Sequence, residues 1–221
     1  MGQLPGVSGQ LVILLVGVAY AAVFALMFVL RREGFSSQFI LESLVLTLLI
    51  AAGGTLTGSQ ANPIFFLAFL YIMTMRCRLL VDAANLLSAR GRQRDAISTL
   101  QVALKLLPDK ATRLIVLVNM GIIQLRRENP QSAQKLLEIV LEEAKTGGLG
   151  TRYEAACQYH LGLAFQRQEK ERQAAEHFDA AVEAFPGSPY GRLAEKALQE
   201  RRQRITRKKD SANAAGKVDL S

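Results

Sequence analysis

The chain has 221 residues, half of them apolar, with 27 Lys or Arg against 19 Asp or Glu and no tryptophan. Two cysteines, Cys77 and Cys157, are too few for a disulfide framework, and His160 and His177 make no HExxH or Cys/His pattern, which argues against a disulfide-stapled domain and a common zinc site. The charge is unevenly spread: up to Met75 only Arg31, Arg32, Glu33 and Glu42 are charged and they cancel, so the whole net charge of +8 lies in the remainder and two modules with different solvents are implied.

Residues 11–30 carry no charge, and as a helix they would run about 30 Å, the thickness of a bilayer's hydrocarbon core. No Lys or Arg precedes them and no small-residue cleavage site follows, so the segment reads as a retained spanning helix and not as a signal peptide. A second span is predicted over 39–56, interrupted only by Glu42, and a third over 63–80, where Arg76 and Arg78 must reach for the headgroups. Asn62 and Pro63 read as the N-cap and first residue of that third helix. Nothing between Pro63 and Gly91 breaks a helix, so the third span is expected to continue into the next domain.

Residues 1–76 thus read as a transmembrane module. Arg31, Arg32, Arg76 and Arg78 mark the cytoplasmic ends of the spans, which places the N-terminus outside and the basic C-terminal part in the cytoplasm. Glu42 needs an ion pair with Arg31, Arg32, Arg76 or Arg78 to remove its cost in a membrane. Small residues recur every fourth position at Gly17, Ala21 and Ala25 and at Ser43, Thr47 and Ala51. Such stripes let helices approach closely, either within the module or as a homo-oligomer contact.

From Cys77 onward apolar residues recur at helical spacing and no strand pattern is found, so the chain is predicted to be all-α. Three sets of positions repeat with offsets of 12, 4, 3 and 5: Ala84, Ala96, Leu100, Ala103, Pro108; then Gly121, Ala133, Leu137, Val140; then Gly162, Ala174, Phe178, Ala181, Pro186. This pattern, with Leu161 beside Gly162, resembles the tetratricopeptide repeat, a two-helix hairpin of about 34 residues with small residues where its helices cross. The resemblance spans 77–188 as three units, 77–110, 114–147 and 155–188, stacked as an α-solenoid. Residues 189–206, with Leu193, Ala197 and Leu198 on one face, read as a capping helix. Residues 207–221 read as a disordered basic tail.

No phosphate-binding loop, nucleophile elbow or paired-histidine motif occurs, so neither an enzyme nor a cofactor is expected. The resemblance implies a membrane-tethered scaffold that docks partner proteins, as in assembly, quality control or recruitment at a bacterial or organelle membrane, with the bacterial inner membrane the expected setting. The alternative is a membrane sensor or transport component with the repeats as its output arm. In this family the first helix of each pair lines a concave groove, and chaperone-docking members clamp a terminal carboxylate there. Asn85 and Asn119 match the clamp asparagines, but Val81 stands in place of a lysine, and Ala156 and His160 replace a basic pair.

The same face offers Val81, Ile115, Val118, Ile122, Tyr159 and Leu163, a strip suited to an amphipathic helix or apolar peptide, unless these residues pack between repeats. Arg201, Arg202, Arg204, Arg207, Lys208 and Lys209 cluster near the C-terminus. Such a run reads as a solvated face, with anionic membrane lipid or nucleic acid as the alternative contacts.

Overall fold

The computed structural model describes residues 9–32, 37–58 and 61–218, with side chains as far as Arg207. Gln60, the uncharged first eight residues and the last three residues of the predicted tail lie outside the described residues. Among those described there are nine helices and no strand: α1 (Gly9–Leu30), α2 (Ser37–Thr57), α3 (Pro63–Ala89), α4 (Gln93–Lys105), α5 (Lys110–Arg126), α6 (Pro130–Ala144), α7 (Thr151–Gln166), α8 (Glu171–Ala184) and α9 (Pro189–Val218).

The first three helices are each long and apolar enough to cross a membrane. Their inner faces bring together the small-residue stripes of α1 and α2. A Cβ on Gly17 would lie 2.2 Å from Thr47 Oγ1, and Ser43, Thr47 and Ala51 are all buried. The buried hydroxyls are satisfied within their own helix, Ser43 donating to the Phe39 carbonyl at 2.9 Å and Thr47 to the Ser43 carbonyl at 2.6 Å. Aromatic rings fill the end of this bundle, with Phe28 and Phe39 packed edge to face at 5.2 Å. The outer faces expose Leu15, Val23, Leu48, Phe65 and Ile72.

α3 is a single 27-residue helix. Asn62 caps it by accepting a hydrogen bond from the Ile64 amide at 2.9 Å, and Pro63 occupies its first turn, where no amide hydrogen is needed. Its first half packs in the apolar bundle through Phe66 and Leu70, and its second half pairs with α4 through Ala84. α5 with α6 and α7 with α8 repeat that hairpin.

The repeated small and large residues lie where helices cross: Ala84, Ala96, Leu100, Ala103, Gly121, Ala133, Leu137, Val140, Gly162, Ala174, Phe178 and Ala181 are all buried. Gly121 lies against Leu137, and Gly162 lies against Phe178, whose ring would be 2.5 Å from an added Cβ. Each first helix ends in the same way. Gly91, Glu128 and Glu169 take a left-handed conformation, with φ of 80°, 59° and 62°. The next amide reaches back five residues, from Arg92 to the Leu87 carbonyl, Asn129 to Gln124 and Lys170 to Phe165, each at 3.0 Å. This is the Schellman closure, which favours glycine at its left-handed residue.

α9 covers the open end of the third pair through Ala194, Ala197 and Leu198, and Ser188 caps it by accepting from the Gly191 amide at 2.9 Å. Two expectations are corrected here. Ala194, and not Leu193, is the buried residue of that face; Leu193 is 44% exposed. The helix also continues to Val218, through most of the segment predicted to be disordered. That segment is rich in Arg, Lys and Ala, good helix formers without a proline, so nothing in it ends a helix already nucleated upstream.

Gly162→Val should destabilise the chain by about 2 kcal/mol, because Phe178 is buried on every side and cannot yield. Glu128→Gly and Glu169→Gly should each stabilise it by about 1 kcal/mol by removing the left-handed penalty. Denaturant midpoints of the detergent-solubilised chain measure both, and an unchanged midpoint for Gly162→Val would contradict the crossing geometry.

Candidate groove on the inner face of the repeats

The first helix of each pair, the second half of α3, then α5 and α7, lies on the inner side of the array. α9 crosses the end of the same face. Together they enclose an open groove of about 410 Å³. α3 contributes Asn85 and Ala89, α5 contributes Asn119, Ile122, Leu125 and Arg126, α7 contributes Tyr159, His160, Leu163 and Arg167, and α9 contributes Tyr190 and Leu193.

The structure divides the nine residues predicted for this face. Asn85, Asn119, Ile122, Tyr159, His160 and Leu163 line the groove. Val118 does not: it is 1% exposed and packs with Leu137, Cys157 and Leu161 in the main core. Ile115 and Val81 are also buried, in the core of the first hairpin with Leu100. Both border a smaller cavity of about 160 Å³ where the repeats meet the apolar bundle. The physical reason is the position of α5. As the middle inner helix it has neighbours on both flanks as well as α6 behind it, so it buries eleven of its residues and leaves only a narrow stripe for the groove.

Six of the lining residues have no counterpart in the groove expected from sequence: Ala89, Leu125, Arg126, Arg167, Tyr190 and Leu193. The two arginines close the first-helix turns of the second and third repeats, and their positions after Leu125 and Gln166 are the only sequence signal for them. Tyr190 and Leu193 sit on a helix that reads from sequence as a cap alone.

The groove is apolar and aromatic along its middle and positive at one end. Tyr190 packs against Tyr159 at 6.0 Å and against His160 at 5.7 Å. Arg126 donates to Ser88 Oγ at 2.7 Å, and Arg167 donates to the Leu125 carbonyl. No Asp or Glu is among the lining residues, so these two guanidinium groups are held by neutral acceptors. Asn119 donates to the Ile115 carbonyl at 2.7 Å.

Burial, with a smaller contribution from the Arg126 charge, pushes His160 down to a pKa of about 4. The ring is therefore neutral at physiological pH, and its buried Nδ1 has no hydrogen-bond partner among the described residues. Burial likewise raises the Tyr159 hydroxyl and the Cys157 thiol, which places the latter far from thiolate chemistry.

Where the repeats adjoin the apolar helices, Glu42 pairs with Arg76 in a two-pronged contact of 2.9 and 3.3 Å. Arg78 stacks over Phe28 at 4.2 Å and Arg32 over Phe185 at 4.9 Å, while Arg31 borders the junction cavity. Among the described residues no three His, Cys, Asp or Glu side chains are grouped to hold an ion.

Residues 112–186 match the family model of the tetratricopeptide repeat. The matched segment contains nearly all of α5 and the whole of α6 and α7, and ends just after α8. No curated protein matches the chain.

The buried histidine carries a sign. His160 binds a proton readily only after unfolding, where its value is the ordinary 6.5, so the stability of its neutral form is complete above about pH 6.5 and is lost as pH falls toward 4. His177, also lowered by burial, acts in the same direction. His160→Phe, which keeps a ring against Tyr159 and Tyr190, should flatten the decline of the denaturant midpoint between pH 6.5 and 4.5. An unchanged slope would show that His160 is solvated.

Proposed function

We propose that the chain is a membrane-tethered, non-catalytic docking scaffold. In this reading α1, α2 and the first half of α3 cross a bilayer, with the N-terminus outside and the repeats in the cytoplasm, and the inner groove captures a segment of a partner protein. The repeat resemblance implies a bacterial or organelle membrane, of which we favour the bacterial cytoplasmic membrane, and assembly or quality control of a membrane complex is the corresponding task.

The observation that carries the reading is the groove itself. It presents Ile122, Leu163 and Leu193 for apolar contact, tyrosine rings as rigid anchors and asparagines for backbone hydrogen bonds. An amphipathic helix or an apolar peptide suits this lining, and Arg126 with Arg167 favours one that carries acidic side chains at one end. Charge patterning supports the orientation, since Arg31, Arg32, Arg76 and Arg78 gather at one end of the apolar helices and the 53–62 connection at the other end has none.

Two experiments test this reading. Reporters fused after Gln60 and after Ser211 should fall on opposite sides of the membrane, the second in the cytoplasm; both on one side would refute the three-span topology. A photo-crosslinking residue at Leu193 or Asn85 should join the chain to a discrete partner in intact membranes, whereas one at Ile139, exposed on α6, should not. Leu193→Asp should weaken that capture at least tenfold without changing the melting temperature. Val118→Asp should instead unfold the repeats, because Val118 is core. Equal crosslinking from Ile139 and Leu193 would move the binding surface off the groove.

A further inference from the structure

We infer that the turn between α4 and α5, with Leu106 and Leu107 at its tip, inserts into the boundary between headgroups and acyl chains of the bilayer that α1–α3 cross. This inference rests on the membrane tether proposed above and gives the repeats a second, separate contact with lipid.

The placement of the turn follows from the first hairpin. α4 runs back along α3: Gln93, at its start, bonds to Ser88 near the end of α3, and Cys77 Sγ, fourteen residues into α3, donates to the Ala103 carbonyl at 3.6 Å near the end of α4. The chain then continues toward the apolar bundle. The tip follows Ala103 by four residues, just past the end of α4 at Lys105. Pro108 and Asp109 accordingly border the same small cavity as Gln38 and Glu42 in the first turns of α2 and Thr74 and Arg76 in α3. Leu107 is thus level with the Glu42–Arg76 pair, at the edge of the apolar belt.

The chemistry of the turn fits that level. Leu107 is 80% exposed, Leu106 39%, and Val102, one helical turn before Leu106, 48%. Leu107 also takes a left-handed conformation, φ 51°, which a leucine seldom adopts. The geometry holds an apolar side chain outward at a conformational cost, and water gives nothing in return. The exposed Lys105 flanks the tip, where its charge can reach phosphate groups while its stem follows the leucines inward; Lys110, on the other side of the tip, donates instead to Thr146 Oγ1 at 2.6 Å. Asp109 is engaged in capping α5 through the Thr112 amide at 3.3 Å.

The third repeat supplies the contrast. Phe185, in the corresponding turn and also facing the bundle, is covered by the Arg32 guanidinium, whereas no described residue covers Leu107.

The chain has no tryptophan, so single reporters can be read without background. Leu107→Trp would be reconstituted as the full chain into nanodiscs of ordinary lipid and of lipid brominated near the top of the acyl chains. Leu48→Trp, on the exposed face of α2, and Leu86→Trp, on the exposed far half of α3, serve as references. Brominated lipid should quench Leu107→Trp and Leu48→Trp at least twofold and leave Leu86→Trp unquenched. Quenching at Leu48→Trp without quenching at Leu107→Trp would overturn the insertion and leave the tether standing. No quenching at Leu48→Trp would overturn the tether and the insertion with it. Equal quenching at Leu86→Trp would mean that the array lies flat on lipid, which overturns a contact confined to this tip.

Discussion

The structure depends on α3 being one helix. Its first half packs against α1 and α2 and its second half is the inner helix of the first repeat, with no joint between them. An unbroken α-helix transmits both position and rotation, so the face that Phe66 and Leu70 turn to the apolar bundle determines where Asn85 and Ala89 point into the groove. A flexible linker would have left the groove free to take any angle. The Glu42–Arg76 pair and the stacking of Arg78 on Phe28 hold the same helix at the level where its surroundings change from apolar to polar.

A second clasp works from the opposite end of the array. The end of α1 reaches the third repeat, where the Arg152 amide donates to the Arg32 carbonyl at 3.3 Å and the Arg32 side chain covers Phe185. The repeats are therefore held to the apolar helices at their first and last units. Between these two holds each hairpin stabilises the next through the small-against-large crossings at Gly121 with Leu137 and Gly162 with Phe178. Held at both ends, the array keeps the groove in one shape.

Much of this was legible in the residues because repeat proteins expose their packing rule as a period. The recurrence of small and large residues, every one of them buried, reports helix crossings directly, and the Asn62-Pro63 start of α3 reports a cap whose hydrogen bond the structure contains. The groove was legible only in part. Asn85, Ile122, Tyr159 and Leu163 line it, but Val118 and Ile115, which have the same chemistry and share the inner side of their helix, are core. Periodicity distinguishes one face of a helix from the other. It does not distinguish a face met by one neighbour from a face met by two, and α5 is the helix with two.

The amino-acid sequence alone determines the helical class, the change from an apolar to a charged segment near residue 76 and the spacing of the hairpins, because charge segregation and local spacing are properties of neighbouring residues in the chain. Tertiary structure decides which arginine pairs with Glu42, that α9 lays Tyr190 and Leu193 into the groove, and that Arg126 and Arg167 gather at one end of it. Each of these depends on the distance between residues far apart in sequence. That distance is set by how successive hairpins rotate as they stack, and no single repeat encodes it.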